Sequence, residues 1–254
     1  MWDGVIYLLL GLVVGALGGL FGIGGGMLAT PLLGVMLEMD QSLAQGTALV
    51  MVVPNVIMAV WRYNQHQPIQ WRAALPLVVS SLLFAILGAY WALQWDVRSL
   101  RWAFIGFMWF LIVNTLLRGY LKAKQGKPAS DRSPSSLGLF TLLGIGAGSG
   151  AAGGIFGVGG ALVATPILTT VLGVGQFAAQ GLALSLAVPS TSTTLLMYAS
   201  HQQVDWSVGL PMAVGGLISV SWGVRWARAL PERLLQTLFC VFLAVCSVLL
   251  VNQA

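Results

Sequence analysis

Apolar runs of membrane-crossing length, separated by short polar breaks, recur along nearly the whole chain. They cover about residues 4–21, 43–61, 73–94, 101–118, 137–155, 178–198, 208–227 and 234–251. Each approaches the roughly 17–25 residues that cross hydrocarbon as an α-helix, so eight long helices are predicted. Two shorter runs, 27–37 and 162–172, follow glycine clusters. They are short for a full crossing and read as half-helices or short tilted crossings. Only Arg118–Ser136, RGYLKAKQGKPASDRSPSS, is rich in bases, Pro and Ser over a sustained length, and it reads as a linker.

The runs on either side of that linker are copies. A gapless shift of 135 residues lays GGLFGIGGGMLATPLL (18–33) on GGIFGVGGALVATPIL (153–168), and AQGTALVMVVP (44–54) on AQGLALSLAVP (179–189). The pairing continues through Tyr63 with Tyr198, His66 with His201, Trp71 with Trp206, Pro76 with Pro211, Gly88 with Gly223 and Trp91 with Trp226. About 30 of the 75 positions between 18–92 and 153–227 are identical, the mark of an internal duplication. The predicted organisation is a first transmembrane repeat at 1–118, a basic cytoplasmic linker at 119–136 and a second transmembrane repeat at 137–254.

Composition narrows the class. Of the 254 residues 57% are hydrophobic and 7% charged, against about a quarter charged in soluble domains, which points to an integral membrane protein. Glycine, at 32 residues, suits tightly packed and interrupted transmembrane helices. The net charge of +5 does not imply nucleic acid, because the bases are dispersed at the ends of apolar runs and in the linker. They set orientation instead. Arg62, Arg72, the five bases of the linker, Arg225, Arg228 and Arg233 fall on one side if the repeats are inverted, leaving Arg98 and Arg101 on the other. That is ten against two, whereas parallel repeats give seven against five. The positive-inside rule therefore favours inverted repeats with both termini outside, which requires an odd number of crossings per half. The start, MWDG, holds an acid and no base before the first apolar run, so Val5 onward is expected to be a retained helix rather than a cleaved signal.

The candidate chemistry lies in two paired features. In the first, Gly22, Gly24, Gly25 and Gly26 with Thr30 and Pro31 are echoed by Gly157, Gly159, Gly160, Thr165 and Pro166. A glycine run opening a short helix exposes backbone N–H groups at a positive dipole end, which can hold an anion inside the membrane. The plainer reading is close helix packing. The second feature is Gln45, Gly46 and Thr47 with Pro54 and Asn55, against Gln180, Gly181, Ser185, Pro189, Ser190 and Thr191. Hydroxyls and amides at membrane depth need partners, so they face protein, water or substrate. The alternative is that Ser and Thr serve carbonyls freed at the proline kinks.

Other polar residues have plain readings. His66 and His201 fit solvated or helix-capping loop positions, with a pH-sensitive gate as the alternative. Arg225 snorkels from a helix end, and Asn114 is interhelical glue. Cys240 and Cys246, six apart on one run, read as buried thiols. The seven acids, Asp3, Glu38, Asp40, Asp96, Asp131, Asp205 and Glu232, fall at predicted helix ends or in loops, leaving no mid-membrane carboxylate for a cation site. No phosphate-loop, zinc-protease or nucleophile-elbow motif is present, and no cofactor or metal is expected.

The paired motifs GGLFGIGGGMLATPLL and GGIFGVGGALVATPIL, together with AQGTALVMVVP and AQGLALSLAVP, resemble the TauE/SafE family of sulfite exporter-like permeases. The resemblance extends over essentially the whole chain. It implies a bacterial inner-membrane, multi-pass secondary carrier, not an enzyme, exporting sulfite, thiosulfate, sulfonates or related small organic anions. It carries the Gly-rich turns, the two Thr-Pro pairs and Gln45-Gly46 with Gln180-Gly181 onto the candidate site. One departure is Ala161 in place of the first half's Gly26.

The expected fold is all-α and membrane-integral, with two homologous repeats of about four to five helices, each holding a short Gly-led broken or re-entrant helix. The expected partners are a small anionic substrate and membrane lipid, with a proton or other ion for coupling and no nucleic acid. Trp71, Trp206 and Trp226 fit interfacial belts as well as contacts in a homo-oligomer. A passive anion channel and a non-transporting membrane scaffold or sensor are the alternatives.

Overall fold

The computed structural model describes residues 2–21, 24–66, 68–125, 137–174, 176–229 and 232–251. Among these the secondary structure is helical: α1 (Trp2–Phe21), α2 (Gly26–Leu37), α3 (Gln41–His66), α4 (Trp71–Gln94), α5 (Val97–Gln125), α6 (Leu139–Phe156), α7 (Ala161–Pro166), α8 (Gln176–Ser200), α9 (Trp206–Ala229) and α10 (Glu232–Val251). A π-helical turn, Ile167–Val171, continues α7. Among the described residues, seven helices (α1, α3–α6, α8 and α9) are long and apolar enough to cross a membrane. The protein is a multi-pass membrane protein.

One sequence expectation changes. The linker begins later than Arg118, because α5 runs on to Gln125. Residues 126–136 lie outside the described residues. The eighth expected apolar run, 234–251, falls within the 20 residues of α10 (Glu232–Val251).

Glycine faces set the helix pairs. A Cβ on Gly11 would strike the Met212 carbonyl, one on Gly15 would lie 2.5 Å from Gly216 Cα, and one on Gly19 would strike the Val220 carbonyl. These contacts rise in step, so α1 runs parallel to α9. Gly146, Gly150 and Gly154 meet Leu77, Ser81 and Ala85 in the same order, so α6 runs parallel to α4. Without a hydrophobic drive between helices in lipid, such backbone approach supplies much of the packing energy.

The α3–α8 pair runs antiparallel, because Tyr63 meets Gln180 at one end and Tyr198 meets Gln45 at the other. α3 itself runs with α9, Val50 lying beside Gly209 and Asn55 beside Gly216. α2 returns along α3, starting level with Val52 and reaching the start of α3 through residues 38–40. Its 12 residues cover about 18 Å, roughly half the bilayer. Most of α2 is buried, including Met27, Leu28, Ala29, Thr30 and Leu33. It is therefore wrapped by protein, while Trp71, Trp206, Trp226, Phe110 and Val248 are exposed on the outside, as lipid requires.

Candidate functional site

The two glycine turns meet in the middle of the bundle. Gly24 and Gly25 have φ of 73° and 94°, and Gly157, Gly159 and Gly160 have φ of 65°, 78° and 64°. Side chains rarely adopt this region, which explains why both turns are glycine. Space imposes glycine a second time. A Cβ on Gly24 would lie 2.5 Å from Val56 Cγ2, and one on Gly159 would lie 2.5 Å from Thr191 Cγ2. Val56 and Thr191 are 135 residues apart, as are the two glycines. Between the halves, a Cβ on Gly26 would lie 3.0 Å from the Gly157 carbonyl oxygen and 3.6 Å from Val158 Cα. The two turns thus touch backbone to backbone.

The first main-chain bonds of α2 run from Leu28 and Ala29 to the Gly25 carbonyl, and those of α7 from Val163 and Ala164 to the Gly160 carbonyl. The amides of Gly26, Met27 and Leu162 lie ahead of these ladders, at the positive ends of their helices. Among the described residues no Asp, Glu, Lys or Arg is buried. Backbone dipoles and neutral polar side chains therefore set the potential in the middle of the bundle.

Around the turns the neutral groups are unevenly satisfied. Asn55 Nδ2 donates to the Gly24 carbonyl at 3.4 Å, tying α3 to the first turn, while its Oδ1 is buried without a partner. Gln45 Oε1 accepts from the Tyr198 hydroxyl at 2.8 Å, and Gln45 Nε2 is buried and unpaired. The Gln45 side chain lies against Gly157, whose Cβ would sit 3.3 Å from Gln45 Cβ. Ser149 Oγ is also buried and unpaired, on α6 just below the second turn. A buried polar group without a partner costs about 1–3 kcal/mol.

The structure separates the remaining sequence candidates. Thr30 is fully buried and its hydroxyl bonds the Gly26 carbonyl at 3.1 Å, closing the first turn of α2 around buried Pro31. Thr165 and Pro166 end α7, where the Thr169 hydroxyl serves both of their carbonyls at 2.9 and 3.2 Å. Gly46 and Thr47 face the α8–α9 connection. Gly46 packs on the Gln203 carbonyl, and Thr47 Oγ1 accepts from the Asp205 N–H at 3.0 Å. Gly181 lies near Ile69 in the corresponding place. Ser185 bonds the Leu182 carbonyl, and Ser190 and Thr191 bond carbonyls of residues 186–188. These hydroxyls serve their own helix. Gly22 lies outside the described residues.

Sequence reasoning passed over Tyr63 and Tyr198, which join α3 to α8 through Gln180 and Gln45. The signal was present, since the two tyrosines stand 135 residues apart, as do the two glutamines. Elsewhere His201 is exposed and its Nδ1 lies 2.9 Å from the Met197 carbonyl, a helix-end cap. Cys240 and Cys246 are buried free thiols. Among the described residues no group of three His, Cys, Asp or Glu is placed to hold a metal.

The model of the family described as sulfite exporter TauE/SafE matches residues 7–250. The chain belongs to the TauE/SafE family. A probable membrane transporter protein of Xylella fastidiosa is 30% identical over 87% of this chain and 82% of its own length. One of Methanocaldococcus jannaschii is 31% identical over 64% of this chain, and the chain spans 60% of that relative's length. A third, from Bacillus subtilis, is 22% identical over 83% of this chain and 84% of its own. The TauE/SafE match covers both glycine turns and both Gln–Tyr pairs, and the family is one of membrane transporters rather than enzymes.

Proposed function

We propose that this TauE/SafE protein is a secondary transporter that exports small sulfur oxyanions, sulfite, thiosulfate or sulfonates, by alternating access. The anion lies where the two glycine turns meet, among the first-turn amides of α2 and α7 and the Gln45 carboxamide, with Asn55 bracing the first turn through the Gly24 carbonyl. The halves are inverted repeats with the linker on the cytoplasmic side and both termini outside, and they rock against each other about this site. The observation that carries the reading is the approach of Gly26 to Gly157 and Val158 beside the buried, unpaired Nε2 donor of Gln45. The antiparallel run of α3 and its copy α8 supports inversion. The absence of buried charge among the described residues suits an anionic cargo, which a nearby carboxylate would repel.

Flux in proteoliposomes tests it. Purified protein with labelled sulfite inside and an imposed pH gradient is expected to give saturable efflux, inhibited by thiosulfate and a small sulfonate. Flux that only follows the sulfite gradient would indicate a channel. Flux no greater than in empty liposomes, with folded protein in both orientations, would remove the sulfur-anion assignment.

A further inference from the structure

A carboxamide presents an acceptor on one side and two donors on the other, so whatever holds its oxygen decides where its N–H groups point. At Gln45 that partner is Tyr198. The Tyr198 side chain is fully buried, and its hydroxyl gives its single proton to Gln45 Oε1 at 2.8 Å, with the Ile155 carbonyl, at 3.5 Å, the other acceptor among the described residues. Turning the amide over would leave that proton with only the longer contact. With the oxygen held, Gln45 Nε2 is left 0% exposed at the residue level and without a partner, on a side chain that packs against Gly157. Such a buried pair of N–H groups is tolerable when a ligand completes it.

We propose that Tyr198 is a positioning residue: it locks the Gln45 carboxamide with its NH2 group turned toward the glycine turns, where it donates to an oxyanion. The inference rests on the anion-site reading above and assigns it a selectivity element. A fixed N–H donor favours a fully deprotonated, acceptor-only oxyanion over a species that brings its own proton to that point. The copy serves as an internal comparison. Tyr63 bonds Gln180 Oε1 at 2.9 Å, but Gln180 is only part-buried, so water can orient its amide when the tyrosine hydroxyl is lost.

The test is the KM for sulfite efflux in proteoliposomes, for the wild type, Tyr198→Phe, Gln45→Ala, the double variant and Tyr63→Phe. Tyr198→Phe is expected to raise KM about tenfold with the maximal rate within about twofold, as loss of one oriented hydrogen bond to an anion implies. In the Gln45→Ala background the same change is expected to shift KM by less than about twofold, because the tyrosine then has nothing to orient. Tyr63→Phe is expected to change KM by less than about threefold. An unchanged KM in Tyr198→Phe, or an equal effect with and without Gln45, would overturn the assignment while leaving the transporter reading intact. A wild type that moves neither sulfite nor thiosulfate overturns both. If Tyr198→Phe does not give monodisperse protein, Gln45→Glu decides the point. It keeps the shape and replaces the donor with a negative acceptor, so loss of sulfite flux supports the assignment and retained flux overturns it.

Discussion

The two glycine turns share a backbone and differ in what braces it. In both, the second glycine of the G-x-G-G run has a left-handed φ and abuts the same position of the following long helix, Val56 for Gly24 and Thr191 for Gly159. The next glycine abuts the same position of the preceding long helix, Val14 for Gly25 and Ser149 for Gly160. The first turn is then tied across to α3 by Asn55, whereas at the matching place Ser190 bonds the Leu186 and Ala187 carbonyls of its own helix. The first turn continues into 12 residues of regular helix, the second into six residues and a π turn. The two turns thus share their glycine geometry, one tied across to the neighbouring long helix and the other self-contained.

The largest effect is expected where the halves remain alike. Gly15→Leu and Gly150→Leu place a side chain where a Cβ already lies 2.5 Å from Gly216 Cα or 2.6 Å from Ser81 Cα. Each should cost at least ~3 kcal/mol, read as loss of monodisperse protein on size exclusion. Unequal yields would show that the α1–α9 and α4–α6 contacts are not equivalent.

The next pair separates the two braces. Asn55→Ala removes the tie to the Gly24 carbonyl and should cost ~1–3 kcal/mol in thermal unfolding. Ser190→Ala removes a hydroxyl whose bonds stay within one helix and should cost less than ~1 kcal/mol. Equal losses would erase the distinction.

The exchange of Gly26 and Ala161 sharpens it functionally. In Gly26→Ala the new methyl lies 2.9 Å from Val52 Cγ2 and 3.0 Å from the Gly157 carbonyl, spreading the turns. Sulfite flux should fall about tenfold, roughly the rate effect of a 1.4 kcal/mol loss of anion binding. Ala161→Gly only loosens the start of α7, by about 0.5–1 kcal/mol, and flux should stay near wild type.

The smallest effect concerns Asp96, which caps α5. The side chain and backbone N–H of Ser99 hold its carboxyl below the usual range, the amide lying 3.0 Å from Oδ2. Because the folded value is depressed, the stabilisation is present above the ordinary carboxylate range and fades as pH falls through the lowered folded value. Melting of Asp96→Ala should fall slightly below wild type at neutral pH and converge with it in acid. A gap that persists unchanged in acid would assign the cap another origin.

Hydrophobic periodicity made the helical plan legible, because run length carries it directly. The glycine turns were legible because a positive φ and a close approach both demand glycine, and glycine is visible in sequence. Other features depend on which helix lies opposite. Thr47 reads as a polar site residue until Asp205 is seen above it. Ser190 and Thr191 read as a polar lining until their protons are found on their own helix. Tyr198 reads as an ordinary aromatic until Gln45, 153 residues away, is found under its hydroxyl. The extension of α5 beyond Arg118 was hidden because basic residues favour helix as readily as linker.

Equilibrium binding of sulfite to purified protein, followed by calorimetry in the wild type, Asn55→Ala, Gln45→Ala and Ala161→Gly, bears most directly on an anion held between the turns. One saturable site per chain is expected in the wild type and in Ala161→Gly, weakened at least tenfold in Asn55→Ala and Gln45→Ala while all four remain folded. Equal affinity in all four proteins would place the anion elsewhere in the bundle.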